Sequence, residues 1–203
     1  MALKILQGRK NTDMRRKQIA SAARKLIVKS GSEHVTVRRI AREIGVSESA
    51  IYRYFKSKGE ILSFLVDQIR DTLTTDIQDV PTNTGDTLAT LEGIMRKHIS
   101  SLAQREGISF RVIAEIISFG DKKLNKRMDD VIDEYLARLS VILGEGVKAG
   151  VIRQDIDLDT MATLFFGAMQ GLVNLWALSN YSFNLEERFF PIFALLREAI
   201  IRH

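Results

Sequence analysis

The sequence has no cysteine, which excludes disulfides, thiolate metal sites and a cysteine nucleophile. That composition fits a reducing cytoplasm, the localisation expected. Histidine is almost as scarce. His34, His98 and His203 are widely scattered, and no ligand spacing such as HExxH occurs. There is no glycine-rich phosphate loop, and acidic pairs such as Asp129-Asp130 are expected on a solvated helix face. The opening MALKILQGRKNTDMRRK has no continuous apolar run and no small-residue cleavage site, so no signal peptide is read there. Neither a convincing β alternation nor an internal repeat is found. These absences argue against an enzyme and against a cofactor or metal, and they leave an all-α binding protein.

What is present suits one or two soluble domains. Of 203 residues, 45% are hydrophobic and 27% charged, enough for a real core. The charge is unevenly spread. Residues 1–60 hold 15 Lys and Arg against 5 Asp and Glu, a net +10, whereas residues 61–203 hold 15 against 20, a net −5. A basic N-terminal quarter on an acidic remainder is the electrostatic footprint of a nucleic-acid-binding head on a body with another task. The expected domains are therefore 1–60, binding DNA, and 61–203, the body.

The basic quarter contains TVRRIAREIGVSESAIYRYFKSKGE, residues 36–60. Thr36 can cap a short helix from Val37 to Ile44. Val37, Ile40, Ala41 and Ile44 share one inward face of it. Gly45 stands where a helix end favours positive φ. Ser47 can cap a second short helix, Glu48 to Phe55, with Ala50, Ile51 and Phe55 turned to the core. Two short helices joined by a tight turn make a helix-turn-helix, whose second helix enters the DNA major groove.

The pattern T-V-R-x-I-A-x-x-x-G-V-S-x-x-x-I-Y-x-Y-F-x-x-K resembles the DNA-binding signature of TetR-family transcriptional regulators across roughly residues 13–65. Carried over by that resemblance, Thr36, Tyr52, Tyr54 and Lys58 would hold phosphates, and Lys56 would add to them. Arg38, with Glu48, Ser49, Ala50 and Arg53 on the exposed face of the recognition helix beyond Ser47, would approach base edges. An arginine can pair bidentately with guanine, and Ala50 can meet a thymine methyl. Glu48 can accept from a cytosine amine or stabilise its own helix N-terminus, the commoner role.

Around this unit the helices read in order. Residues 1–11 are polar and basic without a period and are expected to form a mobile arm, touching DNA or playing no part. The first helix is expected from Asp13 to Lys29, ended by Gly31. The capping box Ser57-Lys58-Gly59-Glu60 opens a fourth, to Gln78, which at 1.5 Å per residue is about 30 Å long. PTNTGD, residues 81–86, is the clearest break. Further helices are read at Thr87–Ala103, Ile108–Phe119, Lys122–Lys148, Asp159–Leu178 and Leu185–Arg202. Pro191 either kinks the last of these or marks its start. About nine helices are expected.

Residues 160–178 carry no charge and nearly suffice to span a bilayer. The amphipathic neighbours favour burial against a core and a partner subunit instead. The resemblance implies a two-fold bundle of the last two helices. The expected dimer surface is Thr163, Gly167, Gly171 and Asn174 with Phe189, Phe193, Leu196 and Ile200. A palindromic operator also calls for a homodimer, because one helix-turn-helix contacts too few base pairs. The remaining faces carry Met95, His98, Phe110, Ile113, Ile117, Phe166, Met169, Gln170, Val173 and Trp176, the expected ligand-binding set. Any one of them can equally be plain core, and His98, Arg111 and Glu115 are each expected at the surface. The expected partners are double-stranded DNA, a second copy of the chain, and a small apolar or amphipathic effector, with fatty acyl compounds among the candidates because the layout resembles acyl-CoA-responsive members. A repressor released by such an effector is the leading reading. A DNA-bound protein that docks another protein is the alternative.

Overall fold

In the computed structural model, residues 2–30, 35–78, 86–105 and 107–202 are described, with side chains from residue 10 onward other than that of Ser30. Nine α-helices lie among the described residues: α1 (Ala2–Ser30), α2 (Val37–Glu43), α3 (Glu48–Tyr52), α4 (Lys58–Gln78), α5 (Thr87–Gln104), α6 (Ile108–Phe119), α7 (Lys122–Lys148), α8 (Leu158–Leu178) and α9 (Leu185–Ile200). A single antiparallel bridge pairs Ile152 with Ile201. The fold is all-α.

Most helix starts have a side-chain cap, which satisfies backbone N–H groups that the helix itself leaves open. Asp86 accepts from Ala89 N at the start of α5, Asp121 from Lys123 and Leu124 N at α7, and Asp157 from Thr160 N at α8. The expected box at α4 forms, with Ser57 accepting from Glu60 N and Glu60 reaching back to Lys56 N. Asn184 accepts from the Glu186 and Glu187 N–H groups and donates to the Glu187 carboxylate.

Three expectations change. The arm at residues 1–11 is helical from Ala2, because Leu, Lys, Gln and Arg are good helix formers even without an apolar stripe. The recognition helix stops at Tyr52, with Arg53 as its C-cap, Tyr54 in the following turn and Phe55 beyond it. Pro191 lies inside α9 and does not begin it. Lacking an N–H, it cannot donate to the carbonyl of Glu187. The expected terminator Gly31, the break at 81–85, and His34 and His203 lie outside the described residues.

The chain divides into two compact units. One comprises 1–68 with 111–128, the other 69–110 with 129–203. In the first, α2 packs on α1 and α3. Its core contains Ile19, Ala23, Ile27, Ile40, Ile51, Phe55, Leu62 and Leu65, all buried. Phe55 and Phe64 meet edge to face at 5.7 Å, and the Arg16 guanidinium lies over both rings. In the second unit α9 packs on α5 and α8. Leu91, Ile94, Met95, Leu139, Leu143, Phe165, Met169 and Phe189 are buried there. Gly146 of α7 meets Ile152 so closely that an added Cβ would stand 2.6 Å from its Cδ1. One described helix, α8, is long and apolar enough to cross a membrane, and 44% of its most apolar window is buried.

Candidate nucleic-acid interface

The turn between α2 and α3 is built by backbone bonds that the sequence dictates locally. Gly45 has φ +68 and donates to Arg42 O, while Val46 donates to Ala41 O. This is the Schellman pattern, with Val46 and Ala41 as its apolar pair. Thr36 is extended and its hydroxyl accepts from Arg39 N at 3.2 Å. The Ser47 hydroxyl likewise accepts from Ala50 N at 3.2 Å and lies 2.8 Å from the Ser49 hydroxyl. Ile40, Ala41, Ile51 and Phe55 hold the two helices together from within. Val37, Ile44 and Ala50, also expected inward, are half-buried.

Outside that core, Thr36, Arg38, Ser47, Glu48, Ser49, Tyr52, Arg53 and Lys56 are exposed. They sit within one short stretch on α2, the turn, α3 and the residues after it. Such a surface offers guanidinium groups for base edges and hydroxyl and ammonium groups for phosphates. Ala50 and Tyr54 are half-buried.

Lys58 is placed differently. Its ammonium is 2.5 Å from Glu115 Oε1 and 5.4 Å from the centre of the Phe119 ring. Glu115, expected at the surface, is 1% exposed. Arg111, also expected at the surface, is part-buried and donates to the carbonyl of Val28 at 2.5 Å. No local signal marks the partner of Lys58, because the two residues are far apart in the chain.

The expected ligand set falls into two groups. Met95, His98, Phe110, Phe166, Met169, Val173 and Trp176 are buried in the second unit, and Gln170 is half-buried there. Phe110 and Phe166 are 6.3 Å apart. Ile113 is buried in the first unit. Ile117 is 66% exposed, so it lines no interior; it falls on the outward face of α6. Trp176 is anchored, since its indole N–H donates to Phe183 O at 2.8 Å and its ring meets Tyr181 edge to face.

His98 is not a surface residue either. It lies 2% exposed beside Asp76 and Tyr135, which sequence reasoning missed. His98 Nδ1 is 3.4 Å from Asp76 Oδ2, Ser101 donates to Asp76 Oδ1, and the His98 and Tyr135 rings are 5.4 Å apart. The Tyr135 ring is also 5.7 Å from Phe166. The Tyr135 hydroxyl, His98 Nδ1 and Asp76 Oδ2 have no hydrogen-bond partner among the described residues. Burial, and then the Asp76 charge, push the Tyr135 phenol well above the ordinary tyrosine range. The stripe Met128, Val131, Tyr135, Leu139 and Ile142 at helical spacing was the available signal that Tyr135 faces inward.

On α8, Thr163, Gly167, Gly171 and Asn174 are exposed, and Leu164, Leu175 and Leu178 extend that face. A Cβ added at Gly167 or Gly171 would meet nothing within 4 Å. On α9, however, Phe189, Phe193 and Ile200 are buried in their own unit, and Phe193 packs on Phe165 at 5.9 Å. They are not free to meet a second copy. Leu196 is half-buried, and the larger outward apolar groups of α9 are Pro191 and Leu195, with Ala194 and Ala199 also exposed.

Comparisons with known proteins cover both parts. The model of bacterial regulatory proteins of the tetR family matches residues 19–63, and that of the YsiA-like protein C-terminal region matches residues 60–199. The fatty acid metabolism regulator protein of Bacillus subtilis is 28% identical over 172 residues, spanning 83% of this chain and 86% of that protein. The nucleoid occlusion factor SlmA of Photobacterium profundum is 24% identical over 191 residues, spanning 94% and 97%. The crystal structure of the regulator FadR from Bacillus subtilis in complex with stearoyl-CoA superposes with a TM-score of 0.78 at 25% identity, covering 89% of this chain and 96% of that one.

Proposed function

Since the chain belongs to the TetR family of bacterial regulatory proteins, and is thus a DNA-binding transcriptional regulator, we propose that it is a homodimeric repressor. In this reading residues 1–60 bind a palindromic operator in the cytoplasm, and residues 61–203 bind a small apolar or amphipathic effector and the second copy. Arg53 and Arg38 read base edges, while Thr36, Tyr52, Tyr54 and Lys56 hold phosphates. The observation that carries the proposal is the exposed, capped helix-turn-helix, with both arginines outside its sealed core.

The dimer face is the exposed strip of α8, with Pro191 and Leu195 of α9. Small residues there allow close backbone approach, and the leucines supply apolar area. The effector reading is supported by the Phe110 and Tyr135 rings against Phe166 and by a relative whose structure holds stearoyl-CoA. Effector binding favours a state whose recognition helices no longer match successive major grooves. No residue is assigned a catalytic role.

The test is displacement. A fluorescent genomic fragment bound by the protein should be released by stearoyl-CoA and not by free CoA at equal concentration. No release by any long-chain acyl compound would remove the acyl effector. The SlmA relatives, nucleoid occlusion factors by name, span nearly all of this chain, which keeps a role other than metabolite sensing in view. The second reading is a DNA-bound protein that docks another protein. That reading predicts no release by metabolites and a partner protein recovered only with the DNA-bound form.

A further inference from the structure

A lysine in the first turn of a helix is repelled by the positive end of the helix dipole. Lys58 occupies that position in α4, and Glu115 of α6 meets it at 2.5 Å. The two side chains differ sharply in exposure, 25% for Lys58 and 2% for Glu115. The second carboxylate oxygen, Glu115 Oε2, is buried with no hydrogen-bond partner among the described residues. Lys58 is therefore the counter-charge that meets a sealed carboxylate. Withdrawing it would leave that carboxylate buried and uncompensated, one of the costlier changes a folded protein can undergo. Lys56, two residues earlier, is exposed, and the capping box engages only its backbone N–H.

We propose that Glu115 is an internal phosphate surrogate that keeps Lys58 off DNA, so that this α6 carboxylate sets the affinity of the head. Lys58 is the position at which the family pattern expects a phosphate contact, and here a carboxylate already supplies the anion. Phosphate must compete with a partner that is covalently fixed, dry and pre-positioned. Lys56 meets no such competitor among the described residues and makes its phosphate contact freely. The proposal rests on the DNA-binding reading and adds a residue outside the helix-turn-helix to it.

The test is the salt dependence of binding to a mixed-sequence duplex of about 30 base pairs. Each phosphate neutralised adds about −0.9 to the slope of log K against log salt. Glu115→Gln removes the charge and keeps the shape. It should steepen the slope by about 0.9 per bound protomer and raise affinity severalfold at low salt. Lys58→Gln, which can still hydrogen-bond Glu115, should leave the wild-type slope unchanged, whereas Lys56→Gln should lower it by about 0.9. In the Glu115→Gln background, Lys58→Gln should cancel the gain. A Glu115→Gln slope equal to wild type would overturn the proposal. So would loss of slope in Lys58→Gln alone, which keeps the test decisive should Glu115→Gln fold poorly. A wild-type protein without salt-dependent duplex binding would fail the DNA-binding reading itself, and the proposal with it.

Discussion

The head and the body place their polar groups in opposite ways. Around α2 and α3 the core is wholly apolar, and hydroxyls, arginines and Lys56 stand outside it. In the body, Asp76, His98 and Tyr135 are sealed beside aromatic rings, with three polar atoms that have no hydrogen-bond partner among the described residues. A surface for DNA must present fixed donors to a rigid, charged partner, so its polar groups are best held by caps and left wet. A buried polar cluster is costly unless something satisfies it. The proposed DNA surface thus lies outside the core of one unit, while the body carries its unusual chemistry inside.

The comparison can be broken at its most demanding point. Leu175 is 58% exposed on α8, so Leu175→Glu should leave the protomer folded. In the dimer it would bury a charge, at about 3–5 kcal/mol, weakening self-association by more than about a hundredfold. Sedimentation should then find monomers, and operator binding should fall with them. A stable dimer in this variant would move the interface elsewhere.

Smaller effects sharpen the head. Arg53→Ala should cost about 1–3 kcal/mol on the operator and far less on random DNA. Equal loss on both would remove it as a base reader. Ser47→Ala deletes the cap of α3 and should lower stability by about 1 kcal/mol, seen in urea unfolding.

In the body the expected effect of Tyr135→Phe is read from pH. The folded state holds the Tyr135 phenol proton above the ordinary value of about 10, while the unfolded chain releases it there. Stability is therefore full below about pH 10 and falls as pH rises beyond it. Tyr135→Phe should flatten that alkaline loss. An unchanged thermal-melting profile above about pH 10 would contradict the burial of this group.

How much of this was legible follows from the range of the forces. Helix starts such as those at Thr36, Ser57 and Asn184 depend on groups within four residues, and the caps stand as read. The end of α3 differs from the expected Phe55 because Tyr54 and Phe55 continue an apolar pattern that the chain here packs without helix. Residues 189–196 of α9 are apolar throughout, so sequence does not separate the buried Phe189 and Phe193 from the outward Pro191 and Leu195. The Lys58–Glu115 pair and the Asp76–His98–Tyr135 cluster join distant stretches of chain. The helical stripe on α7 marks Tyr135 as inward, but no local period announces which groups meet there. Ile117 looked inward by composition alone, and its position on α6 turns it out.

The central claim is sequence-specific DNA binding, and the most direct measurement is selection of genomic fragments by the purified protein at near-physiological salt. The account predicts recovery of a few palindromic sites, with half-sites spaced by about a helical turn or a multiple of it. Binding to every fragment alike, collapsing as salt rises, would contradict it.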